Sequence, residues 1–162
     1  MRTVLTYGSF DLFHIGHLNF LQKARDFGDR LVVGVTTDEF DLLKGKVDLF
    51  NYEERAKVVE SIKYVDEIFP AKGWEEKIED IEKYKPHVIV ASEEWREKYE
   101  PLRKLCRVEF LPRTQGISSS RLRHLLNAIE ELTATLESLP INERQEILTL
   151  IREKLHSVDR VI

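Results

Sequence analysis

His14 and His17, three residues apart in the run YGSFDLFHIGHLNF, are the side chains best suited to do chemistry in this sequence. The apolar stretch Thr3–Tyr7 predicts a strand, and the pattern behind it predicts a helix opening at Ile15. Residues at i and i+3 of a helix share a face, so two imidazoles and the bare backbone of Gly16 converge on one corner. Imidazole suits phosphate chemistry because its pKa lies near neutrality and either ring nitrogen can donate. Together with the unpaired N–H groups of a helix start, such a corner holds a polyphosphate and offsets the charge that grows as it reacts. Ser9 and Phe10 add N–H groups in the preceding turn. Taken alone, the element also reads as two surface histidines near a helix end. A metal site would need third and fourth ligands, which the neighbouring sequence lacks.

A second cluster, Arg113-Thr114-Gln115-Gly116-Ile117-Ser118-Ser119-Ser120, directly follows the last predicted strand. Arg113 can clamp a phosphate or a base. Gly116 permits a tight turn, and Ser118 and Ser119 stand where a helix start would bind an anion through hydroxyl and N–H groups. The same serines read equally well as ordinary N-caps.

Both clusters must be positioned by regular elements. Predicted strands are Thr3–Tyr7, Leu31–Thr36, Glu67–Phe69, Val88–Ala91 and Arg107–Leu111. Predicted helices are Ile15–Phe27, Tyr52–Ile62, Glu75–Lys83 and Ser119–Leu139. The alternation implies an α/β fold around a parallel sheet. The continuous apolar runs Leu31–Val33 and Val88–Val90 suit strands buried on both faces. Asn51 precedes Tyr52-Glu53-Glu54 and reads as an N-cap with an acid at N3. Ligands of such sheets sit outside the carboxyl ends of the strands, where the first and last strands deliver the two clusters.

Beyond Leu126 the character changes. Leu122, Leu125, Leu126, Ile129, Leu132, Leu136 and Leu139 recur at helical spacing until Pro140. Asn142, with Gln145 three residues on, would cap a second helix carrying Ile147, Leu148, Leu150, Ile151 and Leu155. The expected organisation is a nucleotide-binding domain over 1–126 and a helical hairpin over 127–162, whose apolar stripes need a partner.

Composition narrows the function classes. A chain of 162 residues, 42% hydrophobic and 33% charged, can bury a core and stay in solution. A net charge of −4 argues against a broad nucleic-acid surface. No run has the length of a membrane span, and the N-terminus lacks a signal-peptide layout. The single cysteine, Cys106, excludes an internal disulfide framework and a Cys-based zinc cluster. These features point to a cytoplasmic protein that concentrates its cations locally.

The two clusters in this order, strand-HxGH and final strand-RTxGISSS, are the paired signature of the HxGH nucleotidyltransferase superfamily. Further segments fall in line: TYGSFDLFHIGH, GDRLVVGVTTDEF, Lys44-Gly45-Lys46, YEER at 52–55, KYVDEIFP at 63–70, Trp74, Glu94-Trp95 and LPRTQGIS. Over residues 1–126 the chain resembles the glycerol-3-phosphate cytidylyltransferases. The resemblance implies a Rossmann-like open five-stranded parallel sheet with helices on both faces. It implies CMP transfer from CTP to glycerol 3-phosphate, giving CDP-glycerol and pyrophosphate for a surface polymer such as teichoic acid or a capsule. Mg²⁺ carried by the triphosphate and a homodimer are also implied.

By the same resemblance His14, His17, Lys44, Lys46 and Arg113 carry catalysis. Ser9, Phe10, Gly16, Glu94, Thr114, Ile117, Ser118 and Ser119 join the two histidines and Arg113 around the nucleotide. Asp11, Lys44, Lys46, Arg55, Lys63 and Trp74 attend the acceptor, and no residue is assigned as a metal ligand. Without the resemblance, Lys44 and Lys46 read as a solvated loop and Arg55 as half of an i,i+4 surface pair. Three departures stand out. Ser92-Glu93-Glu94-Trp95 replaces Gly-Asp-Asp-Trp, Lys63 replaces an arginine and loses its bidentate fork, and Val47-Asp48-Leu49-Phe50 is less basic than usual. The Ser92-Glu93-Glu94 change leaves open another acceptor, such as phosphoethanolamine, phosphocholine or a sugar phosphate, or another nucleotide. A nucleotide-binding regulator without turnover is the reading from a different class.

Overall fold

The computed structural model describes residues 1–158, and side chains as far as residue 153. Its β-branched runs become five parallel strands: β1 (Thr3–Gly8), β2 (Arg30–Thr36), β3 (Glu67–Ala71), β4 (Val88–Ser92) and β5 (Arg107–Leu111). They lie in the order β3-β2-β1-β4-β5. β1 is central, with Thr6 opposite Val33 on one side and Val90 on the other. The sequence changes direction across the sheet between β1 and β4, and parallel sheets open a ligand crevice at such a switch.

Alternate side chains of each strand serve opposite faces. Val4, Leu31, Val33, Val35, Val88 and Val90 face one layer and pack against Leu21 and Ala24 of α1 (Ile15–Arg25) and Val59 of α3 (Tyr52–Glu60). Leu5, Val32, Ile89 and Val108 face the other layer, with Ile81 of α4 (Glu76–Tyr84) and Tyr99 of α5 (Arg96–Tyr99). Burial on both faces is why these strands read as unbroken apolar runs.

Several boundaries differ from the sequence expectation, each for a local reason. β3 continues through Pro70, which a strand at the sheet edge tolerates because one side of its backbone needs no partner. The six-residue helix α2 (Asp38–Leu43) was too short to show periodicity. Thr37 caps it, its Oγ1 accepting from Phe40 N at 3.3 Å. α1 stops two residues before Phe27. The Asn51 cap forms as expected, with Asn51 Oδ1 accepting from Glu54 N at 3.0 Å and Glu54 Oε2 from Asn51 N at 3.1 Å.

The chain divides into two compact units, Met1–Ser119 and a second beginning at Ser120. The second holds most of α6 (Ser119–Ser138) and α7 (Ile141–Val158). α7 starts one residue before Asn142, so that residue is inside the helix rather than its cap. Pro140 O accepts the first helical bond from Arg144 N at 3.0 Å, and proline's missing N–H costs nothing at a helix start. Leu125, Ile129, Leu132, Ile141, Leu148 and Leu150 are exposed. Leu155, assigned to the same stripe by spacing, lies outside the residues whose side chains are described. Among the described residues no helix is long and apolar enough to cross a membrane.

Candidate active site

The turn leaving β1 is bent hard. Phe10 and Leu12 both take the left-handed backbone region, at φ 54° and 51°. Side-chain-bearing residues rarely adopt it unless their surroundings hold them there. The Phe10 ring is locked in the core. The fully buried Asp11 holds the neighbouring loop, its Oδ2 accepting from Leu49 N and its Oδ1 from Phe50 N, each at 3.1 Å. Arg55 works from beneath. Its guanidinium donates to Ser9 O at 2.7 Å, to Phe50 O at 3.0 Å and to Asp38 Oδ1 at 2.6 Å. The surface pair that helical spacing suggested for Arg55 gives way to a buried hub. Asp11 and Arg55, both expected at the acceptor, tie the turn to the 48–50 loop.

His14 is the N-cap of α1 and His17 its third residue. His14 Nδ1 accepts from Gly16 N at 3.0 Å, and His17 Nδ1 accepts from His14 N at 3.4 Å. The rings stack with centroids 4.0 Å apart and planes 19° from parallel. Because backbone N–H groups occupy both Nδ1 positions, the neutral rings carry their protons on Nε2. Burial, then the neighbouring His14 and Lys46, pushes the His17 imidazole down to about 3. Burial and Arg113 also lower His14. The pair therefore acts as two neutral Nε2–H donors. Gly16 is explained by the ring itself: a Cβ there would stand 2.7 Å from His14 Cε1.

The second cluster closes on the same corner. Ser119 Oγ donates to Asp11 O at 2.7 Å and lies 3.4 Å from His14 Nε2, placed to accept its proton. Ile117 stands over Gly16, its Cγ2 3.5 Å from where a Cβ would be. Asn19 Nδ2 of α1 lies 3.4 Å from Thr114 Oγ1. Gly116 takes φ 85°, the turn conformation its type suggested. Arg113 pairs with Glu94, which follows β4. His14, His17, Arg113, Glu94 and the 114–119 loop thus gather at the carboxyl ends of β1, β4 and β5.

Lys46 enters from the loop after α2, its Nζ on Ser9 Oγ and 2.6 Å from Asp48 Oδ1. Lys44 pairs with Asp41 and lies 4.5 Å from the Phe40 ring centre. Trp74, beyond the carboxyl end of β3, meets Phe40, Trp95 and Tyr99 at ring separations of 5.9, 5.8 and 5.6 Å. Lys63 is not gathered in. It lies in the loop entering β3, at the amino ends of the strands, with Nζ 5.0 Å from the Tyr64 ring.

Lys77 escaped the sequence reading. It is 2% exposed, with Nζ 3.3 Å from the ring centre of Tyr7, 5.0 Å from Trp74 and 5.4 Å from Tyr99. Burial drives its ammonium down to about 7, against the pull of Asp80, which accepts from Tyr7 Oη at 3.0 Å. The available signal was periodicity: Lys77 precedes Ile81 by one turn, a cation on the apolar face of α4.

Among the described residues no group of three His, Cys, Asp or Glu side chains is placed to hold a metal ion. The donor set is built for anions. An open parallel sheet whose switch point carries paired imidazole donors and a hydroxyl-bearing loop defines a nucleotidyltransferase-type α/β protein. The chain belongs to the cytidylyltransferase-like family, whose profile matches residues 5–125. It is 45% identical over 123 residues to glycerol-3-phosphate cytidylyltransferase of Bacillus spizizenii, covering 76% of this chain and 95% of that one. The Staphylococcus aureus protein of the same name is 42% identical over 126 residues, covering 78% and 96%. The crystal structure of a lipopolysaccharide core biosynthesis protein from Thermoplasma volcanium superposes with a TM-score of 0.60 at 25% identity, covering 70% of this chain and 97% of that one.

Proposed function

We propose that this protein transfers CMP from CTP to glycerol 3-phosphate, releasing pyrophosphate and making CDP-glycerol. One observation carries the mechanism: the stacked His14–His17 pair and the Ser119 loop meet at a single corner. A phosphate oxygen of the acceptor attacks the α-phosphorus of CTP. The new P–O bond forms as the bond to the bridging oxygen breaks, and that electron pair leaves on pyrophosphate. The acceptor is already an anion, so no protein nucleophile or base is needed, and catalysis is positioning plus charge stabilisation.

The two Nε2–H groups donate to the triphosphate oxygens where charge builds. Their neutral state lets them donate at pH 7 without titrating. Lys44 and Lys46 neutralise phosphates, and Ser9, Phe10 and Gly16 line the turn that holds them. Arg113, Glu94, Thr114, Ile117, Ser118 and Ser119 hold the nucleotide, and Trp74 stands beside the acceptor. Mg²⁺ would be brought by the triphosphate rather than held by protein carboxylates, and would supply Lewis-acid charge neutralisation there. The product serves a surface polymer of the teichoic acid or capsule type, and the reaction is assigned to the cytoplasm, where CTP is available.

The protein is proposed to work as a homodimer. Leu122, Leu125, Ile129, Leu132, Leu136 and Leu139 repeat at alternating steps of three and four, the spacing of a coiled-coil seam. The exposure of Leu125, Ile129 and Leu132 supports a partner there.

Pyrophosphate release, measured for each NTP against a panel of phosphorylated alcohols, tests the assignment. CTP with glycerol 3-phosphate should be the productive pair. Turnover with phosphoethanolamine, phosphocholine or a sugar phosphate but not with glycerol 3-phosphate would transfer the assignment to that acceptor. His14→Ala should lower kcat by roughly 10²–10³, the cost of losing one preorganised donor to a developing oxyanion, with an unchanged far-UV circular dichroism spectrum. An unaltered rate would remove His14 from the mechanism.

A further inference from the structure

Asp41 and Asp48 form a second cluster just behind the phosphate turn. Their side chains are 1% and 2% exposed. The Arg55 guanidinium reaches both, so the two carboxyl groups are neighbours and a proton on one is felt by the other. Each faces one of the two lysines assigned to phosphate. Asp41 pairs with Lys44 and accepts from Thr36 Oγ1 of β2. Asp48 Oδ1 lies 2.6 Å from Lys46 Nζ, and the same Nζ reaches Ser9 Oγ on the phosphate turn. From α3, Arg55 stands 3.8 Å from Asp41 and 3.5 Å from Asp48, and spends its closest contact on Asp38 of α2. The facing charges are therefore three carboxylates against Lys44, Lys46 and Arg55, with His17 beyond Lys46.

This balance holds only while both lysines stay home. A phosphate that draws Lys46 forward takes a cation from Asp48 and leaves two buried carboxylates face to face. Like charges at that range cannot both remain ionised, and the stable answer is a proton on one of them. We propose that Asp48 is a positioning residue for Lys46 that takes up a proton as Lys46 moves to the triphosphate, so that nucleotide affinity is coupled to pH through the Asp41–Asp48 pair. Burial and the hydrogen bond with Asp41 already lift Asp48 to about 6. Burial also acts to raise Asp41, but its hydrogen bonds with Asp48, Lys44 and Thr36 bring it below the usual carboxylate range. A modest loss of positive charge at Asp48 therefore carries it into the physiological window.

The inference rests on the assignment of Lys46 to a CTP phosphate, and the experiment separates the two. Calorimetric titration of CTP with Mg²⁺ into the full-length protein, in two buffers of different ionisation enthalpy, counts protons taken up per nucleotide between pH 6.5 and 8. Wild type should take up more protons than Asp48→Asn. Its CTP affinity should fall with rising pH more steeply than the variant's, by up to tenfold per pH unit for one linked proton. Equal proton counts and parallel pH profiles would overturn the coupling. Lys46→Ala tests the underlying assignment: unchanged CTP affinity would remove the lysine from the phosphate, whereas weakened affinity with equal proton counts in wild type and Asp48→Asn would sink the coupling alone. Should Asp48→Asn fail to fold, infrared difference spectra of wild type answer the same question. A carboxylic-acid stretch appearing on CTP addition supports the proposal, and its absence refutes it.

Discussion

His14 lies directly over Gly16, and that contact decides what position 16 can hold. A Cβ placed 2.7 Å from the imidazole cannot be absorbed by the helix backbone, so the ring must move. Gly16→Ala should displace His14 from its bond to Gly16 N and reproduce most of the kcat loss of His14→Ala. The same alanine gains helix propensity of up to about 1 kcal/mol, so thermal unfolding should show little net loss of stability. A variant with normal kcat would mean that the ring tolerates the extra carbon. The pattern HIGH made both histidines and the glycine legible in the sequence. Their neutral state was not, because it depends on which backbone N–H each Nδ1 meets and on the burial of the second ring.

Arg55 holds three separate pieces of chain together: the start of the phosphate turn, the loop at Phe50 and the start of α2. Lysine keeps the charge but cannot span Ser9 O, Phe50 O and Asp38 at once. Arg55→Lys should cost about 1–3 kcal/mol, the usual loss on leaving buried acceptors without their donor. Urea unfolding at neutral pH measures it, and a loss below 1 kcal/mol would show that the hub is dispensable. The strands and the Asn51–Glu54 box were legible because runs of Leu and Val and a capping acid are local signals. The hub was not, since its partners lie up to 46 positions away in sequence. Helix α2 went unseen because six residues hold too few turns to show a period.

Two buried groups give the molecule opposing responses to acid. His17 holds its proton only below about 3 when folded, against 6.5 for a free imidazole. As pH falls through that window the unfolded chain gains a proton the folded one refuses, and stability drops by about 1.4 kcal/mol per unit. Asp48 works the other way. Folded, it keeps a proton up to about 6, against 3.8 when unfolded, so stability grows as pH falls from 6 to 4. Over the shared window the two offset each other. Asp48→Asn should expose the histidine penalty: its urea midpoint should decline from pH 6 to 4 more steeply than that of wild type, and equal slopes would contradict the sign. At the same scale, removing the residues after Leu126 should convert the proposed dimer to a monomer by light scattering. A shortened protein that still weighed twice its chain mass would clear the C-terminal helices of any part in assembly. The helical spacing of the α6 leucines was legible in the sequence, but not whether they are covered, which only packing decides.

Phe10 and Leu12 set the shape of the phosphate turn. Two bulky residues forced into the mirror-image half of conformational space mean that the loop they belong to is under tension before any ligand arrives. That tension is overcome once, when the chain folds, and CTP then meets a surface already in its working shape. Leu12→Gly would relax the tension, and the enzyme that resulted would be sturdier and slower.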